Sequence, residues 1–226
     1  MLIREPKLYL VGVPHCRREQ IRRFLADHGH TGSNFQRHHE EDADQLVALG
    51  GRLCYDSFSR GRKASEYLPH ILEQGHFSVL EHAQFSVLFA GVSRSLTHEF
   101  VRHRHFGYSE QSQRYVLVPP NFVVPPLLPE SFVEGWHQEQ VRRYDAYLAE
   151  IDRCVASGLS RKEAHGVARS WLPESCETRI LVSGNLRAWR EMATKRVSPA
   201  AEAEIRRAVA MALDRIRLYT ECLEEV

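Results

Sequence analysis

The residues best suited to chemistry lie in one stretch, Arg102-His103-Arg104-His105-Phe106-Gly107-Tyr108-Ser109-Glu110-Gln111-Ser112-Gln113-Arg114-Tyr115. Three arginines, two histidines, one carboxylate and two serines are interleaved there with three aromatic rings. Such a segment is too polar for a core strand and too aromatic for a disordered basic tail. A guanidinium offers a planar fork of donors that matches phosphate and carboxylate oxygens, and its face stacks on aromatic rings. Two uses follow: holding an anionic, ring-bearing ligand, or lying along a nucleic acid. An RNA-binding module needs a net basic domain or a recognisable fold motif. Neither is present, because Lys+Arg 30 against Asp+Glu 29 leaves a net charge of +1. No global field draws the chain to a polyanion, so an anionic ligand must be held by a local cluster.

Thiol and metal chemistry have weaker support. Five cysteines (Cys16, Cys54, Cys154, Cys176, Cys222) are odd in number, scattered, and without a CxxC pair. That pattern suits reduced thiols in a cytoplasmic protein rather than a disulfide frame or zinc site. Only Cys16, in Pro14-His15-Cys16-Arg17, has the basic neighbours that activate a thiol. His28-Gly29-His30 and His38-His39 sit in polar, loop-like sequence with no ligand spacing, so no metal is expected. No apolar run approaches the roughly 20 residues of a membrane span. The charged start, Met1-Leu2-Ile3-Arg4-Glu5-Pro6, does not read as a signal peptide. A length of 226 residues suits one domain, 1–226, with a substantial core.

The elements that must position the signature are readable from periodicity. Apolar residues three or four apart predict helices over 17–27, 42–55 and 64–74. Phe85, Val87 and Phe89 alternate and predict a strand over 84–90. Helical spacing returns over 93–103, which puts Arg102 at a helix end, and 115–118 looks extended. Pro119, Pro120, Pro125, Pro126 and Pro129 make a stiff loop. A long helix follows, with Val141, Tyr144, Leu148, Ile151 and Val155 along one stripe and a stop at Gly158. Further helices are predicted over 161–171 and 186–195, with a strand over 179–183 between them. The last helix is expected to begin near Ser198-Pro199 and to carry Ile205, Val209, Ala212, Ile216, Tyr219 and Leu223 inward. Strands and helices are segregated, which argues an α+β fold. There is no Gly-rich dinucleotide fingerprint.

Arg-His-Arg followed after seven residues by Ser112 resembles the signature of the flavin-dependent thymidylate synthases. Three other blocks resemble that family in the same order. These are Gly75-His76-Phe77-Ser78-Val79-Leu80-Glu81-His82, Ala168-Arg169-Ser170-Trp171-Leu172-Pro173, and Gly184-Asn185-Leu186-Arg187-Ala188-Trp189. Arg196, with Glu204-Ile205-Arg206 beyond it, lines up with the family's catalytic arginine and closing helix. The resemblance implies a central, mostly antiparallel sheet flanked by helices, in a homotetramer with sites between subunits. It implies FAD as cofactor, NADPH as reductant and methylenetetrahydrofolate as one-carbon donor to C5 of dUMP. His76, Ser78, Arg102, His103, Arg104, Glu110, Asn185, Arg187 and Glu191 fall at flavin-contacting positions. Glu99, Arg102, Glu110, Gln111, Ser112, Gln113, Arg114, Arg169 and Arg196 fall where the nucleotide is cradled, Arg114 and Arg169 at its phosphate. The sequence departs from the family pattern at Gly107, Lys195 and Ala200, where serine, an apolar residue and histidine are frequent. Those departures leave a roomier pocket, and with it a UMP methylase, as the alternative.

Overall fold

Alternation that places Phe85, Val87 and Phe89 on one face continues past the predicted end, so the strand β3 runs Gln84–Ser93. The computed structural model describes residues 1–30, 35, 41–59 and 64–223; His38 and His39 lie outside them. Before β3 come β1 (Leu2–Ile3), β2 (Lys7–Gly12), α1 (Arg18–Asp27), α2 (Asp42–Cys54) and α3 (Ala64–Glu73). A 3-10 turn, Phe77–His82, leads into β3. After it come α4 (Arg94–Phe100), β4 (Phe106–Glu110), β5 (Phe122–Val123), α5 (Glu130–Ala156) and α6 (Arg161–Ala168). The chain ends with β6 (Glu177–Asn185), α7 (Leu186–Arg196) and α8 (Ala203–Ile216).

Four strands form an antiparallel sheet in the order β2-β3-β6-β4, and β1 pairs in parallel with β5. The β3–β6 register sets Val87 against Val182 and Phe89 against Ile180, all fully buried on one face. Helix α8 packs Ile205, Val209, Ala212, Leu213 and Ile216 into the same core, with Trp189 and Met192 of α7 and Val47 of α2. A second apolar cluster joins Tyr144, Tyr147 and Ile151 of α5 to Ala164 and Ala168 of α6. The expected α+β arrangement of an antiparallel sheet flanked by helices is what forms.

Several boundaries differ from the sequence reading. The polar signature does supply a strand: β4 lies on the sheet edge with Phe106, Tyr108 and Glu110 half-buried and Gly107 and Ser109 exposed. A strand of an antiparallel sheet can keep one face in solvent, and β4 does so with alternate residues. Residues 115–118, which look extended in sequence, are a turn and bend followed by irregular chain. Strand β2 was missed because Leu8, Tyr9, Leu10 and Val11 are apolar on both faces, which hides the period of two. Helix α8 begins at Ala203 rather than near Ser198, because Glu202 caps it, its carboxylate accepting from the N–H groups of Glu204 and Ile205. Val141 and Val155 at the two ends of the α5 stripe are exposed, and so is Tyr219, expected inward.

Candidate active site

The site is built around α4 and its exit. Ser93 caps this helix, its Oγ accepting from the Leu96 N–H at 3.0 Å. The helix stops at Phe100, so Arg102 and His103 lie just beyond it. There the phenol of Tyr108 lies 2.5 Å from the Phe100 carbonyl and 2.8 Å from that of His103. On the facing element, Asn185 caps α7 by accepting from the Ala188 N–H at 2.9 Å, and Arg196 closes the same helix.

Arg196 is held from two sides. Its Nη1 donates to Glu99 Oε2 at 2.5 Å and its Nε donates to His103 Nε2 at 3.0 Å. The second bond requires a neutral imidazole with its proton on Nδ1. Burial, then the Arg196 and Lys195 charges, push the His103 pKa down to about 4, with Glu191 opposing. Geometry and electrostatics therefore agree that His103 is an acceptor here. A fixed guanidinium with no proton to lose suits the stabilisation of charge that develops on a planar carbonyl system.

Arg196 and His103 border a cavity of about 310 Å³ walled by Arg102, Arg104, His105 and Phe106 on one side and Ala188, Glu191 and Lys195 on the other. A second cavity of about 240 Å³ adjoins it through His105, Ala188 and Glu191 and is bounded by Glu81, Asn185 and Arg187. Gly184 makes room for the Phe106 wall of the first cavity: a Cβ there would meet the Phe106 ring at 2.4 Å. Phe106 in turn stacks edge-on against Trp189 at 5.0 Å. An apolar wall with a rim of several cations is a donor set that fits a ligand joining a planar ring to phosphates, as a flavin dinucleotide does.

A separate cleft of about 500 Å³ lies at the other end of α4, lined by Arg94, His98, Gln113, Arg169, Ser170 and Glu174. Arg114 stands beside Gly166 at its rim. Gln111, Ser112 and Gln113 line a narrow crevice against Glu177 and Thr178. The candidate residues thus divide within the chain into a set around Arg196 and a set around Arg169. Glu110 lines none of these clefts; its carboxylate is engaged by Arg94 at 2.7 Å and Thr97 at 2.9 Å. Ser78 on the 3-10 turn and His76 just before it are exposed and border none of them either. Gly107 and Ala200 are both exposed and away from these walls, so neither enlarges a pocket within the chain.

Sequence reasoning missed Glu81, which pairs with Arg187 at 2.6 Å, although it lies inside one of the matching blocks. It also missed Arg94 and His98. Their spacing of four on a predicted helix was the available signal. Cys16, the one candidate nucleophile, is buried and donates its thiol to the Asp42 carbonyl at 3.2 Å. Among the described residues no cluster of three or more His, Cys, Asp or Glu could hold a metal, and no helix is long and apolar enough to cross a membrane.

Residues 37–218 match the family model described as thymidylate synthase complementing protein. A flavin-dependent thymidylate synthase of Mycobacterium marinum is 40% identical over 203 residues, covering 82% of this chain and 76% of its own. One from Mycolicibacterium gilvum is 43% identical over 205 residues, with 82% and 77% covered. One from Mycobacterium tuberculosis is 40% identical over 205 residues with the same coverage. With a family match that spans both clefts and every signature arginine, the chain belongs to the flavin-dependent thymidylate synthase family.

Proposed function

We propose that this chain, as one domain over residues 1–226, methylates C5 of dUMP to give dTMP. The one-carbon unit would come from methylenetetrahydrofolate, with FAD as bound cofactor and NADPH as the reductant. The observation that carries this reading is Arg196, fixed by Glu99 and His103 at the mouth of a cationic cavity. C5 of uracil is a poor nucleophile until charge moving onto the N3–C4=O edge is stabilised. One route adds a thiolate at C6, but burial and the Asp42 charge push the Cys16 thiol up to about 11, against the pull of Arg18. The other route sets a permanent cation beside the ring edge, and Arg196 has the charge, donors and support for it.

Arg102, His103, Arg104, Arg187, Asn185 and Glu191 would hold the flavin, joined by His76 and Ser78. When bound, the reduced flavin supplies the hydride that completes the methyl group. Arg114 and Arg169 would take the nucleotide phosphate, each charge-assisted contact contributing about 1.5–3 kcal/mol. Gln111, Ser112 and Gln113 would line the nucleotide's path, while Glu110 would act by holding Arg94. The separation of the two sets within one chain supports a working site between subunits of what the family resemblance implies is a homotetramer, and the scattered cysteines suit the cytoplasm. The test is direct. The purified protein should be yellow, bleach with NADPH, and release tritium from C5 of labelled dUMP, while Arg196→Ala lowers turnover by ~10²-fold or more. A folded, colourless protein that takes up no FAD would overturn the proposal, as would full turnover by Arg196→Ala.

A further inference from the structure

Helix α4 is held at both ends by side chains that line none of the cavities described above. At its start, Glu204 reaches across from α8, 111 residues along the chain. One of its carboxylate oxygens accepts from the Ser93 N–H at 2.8 Å, and the other accepts from Ser93 Oγ at 2.6 Å. That hydroxyl is the same one that caps α4. At the far end, the Tyr108 phenol is shared between the carbonyl of Phe100, the last residue of α4, and that of His103 in the turn just beyond it. Burial places a cost on both groups, raising the Glu204 carboxyl and the Tyr108 phenol above their ordinary ranges. Between these anchors stands Glu99, and just past the second stands His103, the two groups that hold Arg196.

We propose that Tyr108 and Glu204 are positioning residues that fix the rotation and axial setting of α4, so that Glu99 and His103 meet Arg196. This inference rests on the reading of Arg196 given above. A helix this short, of seven residues, has little intrinsic stability, so its setting is decided by what grips its ends. Tyr108→Phe removes only the hydroxyl and leaves the ring packed near Phe106, at 6.1 Å between centroids. Tyr144→Phe is the matched control: its phenol donates to the Val118 carbonyl at 2.9 Å in the other apolar cluster. Glu204→Ala removes the second anchor, and Glu204→Gln restores an acceptor for the Ser93 N–H.

The first readout needs no cofactor: the ring titration of His103 by NMR in histidine-labelled free protein. Tyr108→Phe and Glu204→Ala should move it upward, toward the ordinary histidine value, as the imidazole leaves Arg196. Tyr144→Phe should leave it unchanged, and Glu204→Gln should return it toward the parent. The second readout is kinetic. Per bound flavin, kcat should fall about tenfold or more in Tyr108→Phe and Glu204→Ala. The dissociation constant for dUMP should change by less than about threefold, since the phosphate contacts lie in the other cleft. An unmoved His103 titration in both variants would overturn the positioning role even if both melt earlier. If the titration moves but the parent takes no FAD and makes no dTMP, the clamp stands and the proposed function falls.

Discussion

Arg196 shows how a residue type becomes a catalytic group only through its neighbours. On its own it reads as a solvated arginine at a helix end, where cations complement the helix dipole. The tertiary structure adds Glu99 and a neutral His103, and these decide which way the guanidinium points. The neutral state has a consequence for pH. The folded pKa of His103 lies at about 4, below the ordinary histidine value, so the unfolded chain binds the proton more readily. Its contribution to stability is complete above about pH 6.5 and is lost as pH falls toward 4. In the folded protein Arg196 loses its acceptor only as pH falls through about 4, where the His103 ring takes up a proton. The NMR titration of His103 should therefore be flat above about pH 5, and turnover should show no inflection belonging to this ring near pH 6.5. An inflection there that vanishes in His103→Asn would contradict the assignment. The thiols yield a second expectation. Burial pushes Cys176 to about 12 and also raises Cys222, the reverse of what a thiolate nucleophile needs. Cys16→Ala should keep turnover within about threefold of the parent, and loss of all activity in the folded variant would restore the thiolate route.

At the scale of elements, the signature is legible as chemistry and hard to read as structure. Its arginines and its Ser112 spacing point to the family, but its polar character conceals β4. That strand is specified by cross-strand partners: Phe106 faces Gly184, Tyr108 faces Val182 and Glu110 faces Ile180. Gly184 sits between Phe85 and Phe106 in neighbouring strands, and only the missing side chain lets the Phe106 ring approach so closely. Gly184→Ala should cost about 1–3 kcal/mol by overpacking, seen as a lower urea midpoint at constant m-value. Because Phe106 walls the 310 Å³ cavity, the variant should also bind FAD more weakly. Gly107, in the next position of β4, is the contrast. A Cβ there comes no closer than 3.9 Å, to the Ser183 carbonyl, so Gly107→Ser should shift stability by less than about 0.5 kcal/mol. Equal destabilisation by the two changes would mean that Phe106 is not packed on Gly184 as described. The start of α8 teaches the same lesson from the other side. Ser198-Pro199 has the composition of a helix start, yet the Glu202 carboxylate caps four residues later.

For the whole molecule, the division of candidate residues between two ends of α4 is the feature with the largest consequence. One chain carries an Arg196 set and an Arg169 set, and these line separate clefts. Exposed apolar side chains, among them Tyr115, Leu117, Val167 and Trp171, are left outward near the second set. Light scattering of the purified protein should give a mass of four chains, and FAD affinity should fall as dilution dissociates them. FAD at a hundred times its Kd should then stabilise the fold by about 2.7 kcal/mol, visible as a rise in Tm. A monomer that binds FAD with undiminished affinity would refute the shared-site arrangement.

What the sequence determined by itself was local and chemical. The Arg-His-Arg signature, the block order and the periodicity of β3, α5 and α8 depend on neighbours along the chain, and residue type and spacing carry that information. The helix and strand cores of these elements follow for the same reason, since alternation and three-to-four spacing report a buried face directly. What only the tertiary structure decided was partnership across distance. Glu204 meets Ser93 111 residues away, Glu99 meets Arg196 97 residues away, and Glu81 meets Arg187 106 residues away. No periodicity encodes such pairs, because they arise when the β3–β6 register and the packing of α7 and α8 bring separate segments together. The orientation of Arg196 and the neutrality of His103 are consequences of that packing, and so is the cavity they border.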